Sequence, residues 1–171
     1  MIEVTFKFTE SELYQGILAI ALSRTMFRAY RAIGIISIIF FIFFLYRDIN
    51  HNVTLPFYAF FFLSFGLYLT IFVELSCKIV TKKYIKTKAQ ITEHTIYIFD
   101  EKSYQLTGES FSTRIDYNKL YDVKEVSDFV LLRLSEGIAH ALPKRAFSDD
   151  QFNTFKNIIR SIQGLKSTFK E

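Results

Sequence analysis

Residues 2–8, IEVTFKF, put Ile2, Val4, Phe6 and Phe8 on one side of an extended chain and Glu3, Thr5 and Lys7 on the other. This period of two is that of a half-buried strand, predicted over residues 1–9. Thr9 and Glu12 have the spacing of a capping box, so an amphipathic helix is expected over residues 10–26, running on toward Arg28 and into the next helix. Alternation then disappears. Residues 32–46, AIGIISIIFFIFFLY, and residues 55–73, LPFYAFFFLSFGLYLTIFV, carry no charge. The second stretch would span about 28 Å as a helix, close to the hydrocarbon thickness of a bilayer. The first is long enough when counted from Phe27, with Arg28 and Arg31 laying their stems along the helix and holding their guanidinium groups at the interface. Transmembrane helices are therefore expected over 27–46 and 55–76, joined through residues 47–54 as an antiparallel hairpin. Two buried helices of a soluble protein would have similar composition, but the rest of a 171-residue chain is too small to cover both on all sides.

Beyond Lys88 the pattern becomes one of short strands: AQIT, TIYIF, SFSTRIDY, FVLLRL and IAHAL. In the third, Phe111, Thr113, Ile115 and Tyr117 face one way and Ser112, Arg114 and Asp116 the other, which predicts a half-buried antiparallel strand. Turns are expected at Thr92-Glu93-His94, Thr107-Gly108 and Ser135-Glu136-Gly137. The closing segment has Phe152, Phe155, Ile159 and Ile162 on one stripe, with Ser148 as N-cap, Gln151 completing a capping box and Gly164 as the stop. The apolar face of residues 1–9 needs cover, and the hairpin returns the chain to the side where the sheet forms, so the first strand is expected to join it. The implied fold class is an α+β membrane protein: a transmembrane helical hairpin and an antiparallel-sheet domain over residues 84–165, closed by a C-terminal helix.

Charge orients this arrangement. Arg24, Arg28 and Arg31 precede the first apolar stretch and Lys78, Lys82, Lys83, Lys86 and Lys88 lie beyond the second, against Arg47 alone in the connector. The positive-inside rule places both termini in the cytoplasm and the connector outside. Residues 1–89 hold ten Lys/Arg against five Asp/Glu and residues 90–171 eleven against twelve, so the net charge of +4 belongs to the flanks of the hairpin. The sheet domain lacks the basic face that nucleic-acid binding requires. The eight flanking basic residues are candidate contacts for anionic membrane lipids; their topogenic role accounts for them as well.

Catalytic constellations are not evident. His51, His94 and His140 are scattered, the six glycines form no phosphate-cradling loop, and the lone Cys77 excludes an intrachain disulfide. No enzyme activity, metal or cofactor is expected. The Lys144-Arg145 pair in ALPKRAFSDDQF has no role in capping or strand termination, which leaves it as a contact for an anionic ligand or partner, or as solvated surface.

The order of parts, together with IDYNKLYDVKEVSDFVLLRL and LPKRAFSDDQFNTF, resembles the YcxB-like family of bacterial membrane proteins. Family members often carry Trp where this chain has Tyr117. The resemblance implies a pleckstrin-homology-like (PH-like) cytoplasmic domain, a bent antiparallel sheet closed by a helix, in the bacterial inner membrane; it implies no activity. The function expected is a membrane-anchored binding or regulatory module whose partners are membrane lipids, another protein or a second copy. A small membrane enzyme, a transport-complex subunit and an immunity or stress protein of the membrane are the alternatives.

Overall fold

Alternation sets the first contacts of the fold. In a computed structural model describing residues 1–51, 57–87 and 93–170, β1 (Ile2–Phe6) buries Ile2, Val4 and Phe6 and exposes Glu3 and Thr5. It pairs antiparallel with β2 (Thr95–Phe99), setting Val4 opposite Tyr97 and Ile2 opposite Phe99. A meander through β3 (Ser103–Thr107) and β4 (Ser112–Asp116) completes a sheet of order β1-β2-β3-β4. The second sheet, β7-β6-β5-β8, is built from β5 (Asp122–Val126), β6 (Phe129–Arg133), β7 (Ala139–Pro143) and the short β8 (Ser167–Thr168), which lies parallel to β5. Both sheets feed one core, with Val4, Phe99, Tyr104, Val123, Leu132 and Leu142 packed around Phe155 and Ile159 of the terminal helix.

Between the hydrogen-bonded neighbours β1 and β2 the chain makes three helices, α1 (Glu10–Ser23), α2 (Thr25–His51) and α3 (Phe57–Thr87). The Thr9/Glu12 capping box is present at the start of α1. The helix does not run on into α2. Arg24 is extended (φ −80°, ψ 135°), and the Ser23 hydroxyl donates back to the Ile20 carbonyl at 2.7 Å. Both long helices outrun their apolar stretches: α2 continues through Arg47 to His51, and α3 runs to Thr87 as a stalk toward the sheets. They cross at two glycines. A Cβ on Gly66 would lie 2.7 Å from Ile38 Cγ1 and 2.8 Å from the Gly34 carbonyl oxygen, so the helices meet backbone to backbone, as small residues permit. The strand expected at AQIT lies outside the described residues, as do residues 52–54 of the connector and Lys88.

The terminal helix α4 (Asp149–Ser161) starts on the Ser148/Gln151 capping box, with the Phe147 and Phe152 rings 5.5 Å apart as a hydrophobic staple. It ends at Ser161, and Gly164 takes a left-handed φ of 83° two residues past the cap. Strand β4 departs from expectation. Its residues are exposed except for Ile115, which is half-buried, because β4 is a sheet edge with its outward face uncovered; Tyr117 is buried, but in a single 3-10 turn after the strand. Strands β3 and β5 are additions to the expected set: SYQLT alternates Tyr104 and Leu106 with polar residues over only five positions, and DVKEV, with Lys124 and Glu125 adjacent, has no apolar alternation. The fold is thus α+β, with four helices, two of them long and apolar, and two four-stranded sheets among the described residues.

Candidate functional site

Helix α1 is the joint between the two halves of the molecule. One side, through Ala21, packs on Val73 and Cys77 of the α3 stalk; another, through Ala19, packs on Phe129 and Leu131, which point away from the main core. This leaves β6 buried at all five positions. The contact of α1 with the sheet is close because small residues line it: a Cβ on Gly16 would sit 3.4 Å from the Ala141 Cβ. Where α1, the stalk and the sheets do not meet, two adjoining cavities of ≈ 380 and ≈ 440 Å³ remain. Both are bordered by Ile17, Ile20, Tyr84 and Ala139 and so form one groove along α1. Its far end is walled by Tyr97, Leu106 and Phe111 and its near end by Phe27 and Val73, at the edge of the apolar stretches.

Few polar groups face this groove. Burial pushes the His140 imidazole below its ordinary value, so it is neutral at physiological pH. Its Nδ1 lies 3.3 Å from the Tyr104 hydroxyl, whose own pKa burial raises. This pair is a satisfied hydrogen bond at the cavity wall, with no charged partner to activate it. Arg24 borders the near end. One terminal nitrogen donates to the Gly137 carbonyl in the β6–β7 loop, and the guanidinium lies 5.8 Å from the Phe27 ring centre. Its Nε is buried without a hydrogen-bond partner. Among the described residues, no carboxylate borders either cavity. Among the described residues, no three His, Cys, Asp or Glu side chains are grouped as a metal would require.

The Lys144-Arg145 corner is engaged within the chain. Both residues lie in a 3-10 turn after β7. Arg145 grips the Glu12 carboxylate with Nε and a terminal nitrogen, the latter at 2.7 Å, and also donates to the Lys7 carbonyl at 3.1 Å. Glu12 meanwhile accepts from the Thr9 backbone and hydroxyl, each at 3.0 Å. The Arg145 hydrogen bond comes first among the causes that hold the Glu12 pKa at about 2, below its ordinary 4.5, against a smaller opposing effect of burial. Lys144 donates to Glu125 at 2.9 Å. Glu125 is almost wholly buried, which raises its pKa, but the Lys144 bond, the Lys170 N–H at 3.1 Å and the nearby Lys156 together carry it below the ordinary value. The pair therefore bolts the corner to α1 and to β5.

The flanking basic residues divide. Arg31 pairs with Glu74 at 2.8 Å, an ion pair joining α2 to α3 where both apolar stretches end. Lys78 lies 6.0 Å from the Tyr14 ring centre. Arg28, Lys82, Lys83 and Lys86 are exposed on the same side of that ion pair as the sheets, while Arg24 is half-buried in the groove.

Sequence reasoning missed the groove, the break at Arg24 and a buried ion pair between cross-strand neighbours, Arg133 to Asp122 at 2.8 Å. A usable signal exists for the last, since FVLLR puts an arginine at the end of an otherwise apolar strand, where it needs a carboxylate partner. No curated protein and no solved structure matches the chain. Residues 99–159, from the end of β2 to the buried stripe of α4, match the family model described as YcxB-like protein, so that the resemblance carried by IDYNKLYDVKEVSDFVLLRL and LPKRAFSDDQFNTF holds and this segment is YcxB-like.

Proposed function

We propose that the protein is a membrane-anchored binding or regulatory module, with no enzymatic chemistry of its own, that holds a PH-like domain against the cytoplasmic face of a bacterial inner membrane. The observation that carries this reading is the insertion of the hairpin between β1 and β2. Strands that are direct neighbours in one sheet are separated in sequence by the whole apolar hairpin, so the anchor belongs to the framework of the domain. In the most apolar parts of α2 and α3 only 11% and 22% of residues are buried, and large side chains such as Ile39, Phe43 and Phe61 are more than half exposed. A core helix would be covered; hydrocarbon is the solvent that suits this surface. The exposed basic residues beyond the Arg31–Glu74 pair support an orientation with both termini inside. The two meanders closed by α4 support the PH-like reading, and the groove supplies a place to bind.

Single-cysteine variants in a Cys77→Ala background test the topology. An impermeant maleimide should label Asn50→Cys in intact cells and should reach Gln163→Cys and Glu109→Cys only after permeabilisation. The opposite pattern would overturn the orientation, and equal labelling of all three with no recovery in the membrane fraction would overturn the anchor.

A further inference from the structure

We infer that the groove along α1 holds an acyl chain of an anionic lipid drawn from the adjoining bilayer, with the lipid phosphate against Arg24. The inference rests on the membrane reading above and deepens it by naming a ligand. Position is the first argument. The near end of the groove is bordered by Phe27 and Val73, beside the Arg31–Glu74 pair that ends the apolar stretches, so its mouth opens at headgroup level. Val73 and Tyr84 both border it and are eleven residues apart on one helix, about 16 Å of rise, enough to accommodate much of an acyl tail. Its two cavities fall within the usual size of small-molecule sites.

Charge is the second argument. Arg24 is the one Lys or Arg bordering the two cavities among the described residues, there is no carboxylate in their lining, and its Nε is buried and unpartnered. The positive charge of Arg24 is thus left without a counter-charge at the cavity, and a phosphate at the mouth would supply one. The third argument separates a lipid from a peptide. A peptide backbone brings an N–H and a C=O for nearly every residue, and the side chains of the lining offer little beyond Arg24, Ser76, Tyr84, Thr95, Tyr97 and His140 to receive them. An acyl chain brings none. Gly16, Ala139 and Ala141 line the space with small side chains, so larger residues at these positions would fill it.

The full-length protein, reconstituted in phosphatidylcholine vesicles, tests this with a diazirine at the end of one acyl chain of either phosphatidylglycerol or phosphatidylcholine. After photolysis, peptides containing residues 13–20 and 139–141 should carry label from phosphatidylglycerol in addition to label on α2 and α3. Arg24→Gln should lower the groove label from phosphatidylglycerol about tenfold, the equivalent of one charge-assisted hydrogen bond, and leave the phosphatidylcholine label unchanged. Ala139→Phe should remove groove label from both lipids, and the exposed-charge control Lys83→Gln should remove neither. Label on α2 and α3 should persist in every variant and reports insertion. Label confined to α2 and α3 would overturn the lipid site while leaving the anchor intact. Equal groove label from both lipids, insensitive to Arg24→Gln, or a loss as large in Lys83→Gln would also overturn it. Absence of label from α2 and α3 would overturn the membrane reading and this inference together.

Discussion

Strand β6 and helix α2 are both dense in apolar side chains, yet the chain treats them in opposite ways. Every residue of β6 is buried, with Val130 and Leu132 in the shared core and Phe129 and Leu131 under α1. Along α2, Ile35, Ile39, Ile42 and Phe43 are each about half or more exposed. Residue type alone does not separate the two. The difference lies in what the rest of the chain provides: α1 and α4 cover the two faces of the second sheet, and α3 covers one side of α2 while no other described element covers the rest. An apolar surface on this scale needs a different solvent. Helix α1 is where the two regimes meet, since it packs on the stalk and on the sheet at once.

The comparison can be broken most directly by deleting one apolar side chain in each region. Phe155 is fully buried, its ring centre 4.9 Å from that of Phe99 and 5.3 Å from that of Phe147. Phe155→Ala should cost about 3–5 kcal/mol, by lost transfer energy and by the cavity left behind. Ile42→Ala, on the open face of α2, should cost less than about 1 kcal/mol when the full-length protein is unfolded in detergent micelles. Denaturant titration followed by near-UV circular dichroism checks both. Equal losses would mean that α2 has a protein partner in place of lipid or detergent.

Within the hairpin, the glycine crossing should tolerate much less than the open faces. Gly66→Leu would drive a side chain into Ile38 and the Gly34 carbonyl, and the backbone oxygen cannot turn aside. Overpacking of this kind should cost about 1–3 kcal/mol and splay the helices. The effect is readable as loss of cysteine crosslinking between Phe44→Cys and Tyr58→Cys, whose native rings are 5.4 Å apart. Undiminished crosslinking would show that the helices are held together elsewhere.

What the sequence reveals and what it withholds divide along similar lines. The apolar helices, both capping boxes and the buried stripe of α4 are local: composition, a spacing of three residues or a period of 3.6 suffices to see them. Strand β5 has no apolar alternation of its own and is fixed by its neighbours, with buried Asp122 paired to Arg133 opposite it. The break at Ser23-Arg24 contains neither Gly nor Pro; it goes with the reach of Arg24 to Gly137, 113 residues away. The Lys144-Arg145 corner looks like free charge in the sequence for the same reason, because Glu12 and Glu125 approach it only in three dimensions. The groove is a property of packing, and the sequence shows at most the small residues that leave it open.

The joint should respond to pH. Because the folded-state pKa of Glu12 lies near 2, below its ordinary 4.5, the Arg145–Glu12 pair adds stability that is fully present above about pH 4.5 and is lost as pH falls toward 2. Arg145 is half exposed, so solvent screening limits the effect, which we expect to be about 1–2 kcal/mol. Glu12→Gln should lower the melting temperature at pH 7 and flatten its fall between pH 4.5 and 2. A parallel drop in mutant and wild type across that range would assign the acid sensitivity to other carboxylates, Glu125 first among them.

The smallest expected effect separates the two capping boxes, which have the same local geometry but different settings. Ser148 accepts from the Gln151 N–H at 3.3 Å, and the Gln151 side chain accepts from the Ser148 N–H at 3.0 Å while its amide donates to the Glu3 carbonyl at 3.3 Å. Thr9 shares its carboxylate partner with Arg145, so its box is tied to the corner after β7. Ser148→Ala should cost about 1 kcal/mol, the usual loss for an uncapped helix, and should do so whether or not Arg145 is present. Thr9→Ala should cost a similar amount alone, but its cost should change in an Arg145→Gln background, because both residues bind Glu12. A double-mutant cycle by denaturant unfolding gives both numbers. Additivity for Ser148 with coupling for Thr9 is the expected outcome; additivity for both would mean that the corner does not act through the start of α1, and that the joint is held by the packing of Gly16, Ala19 and Ala21 instead.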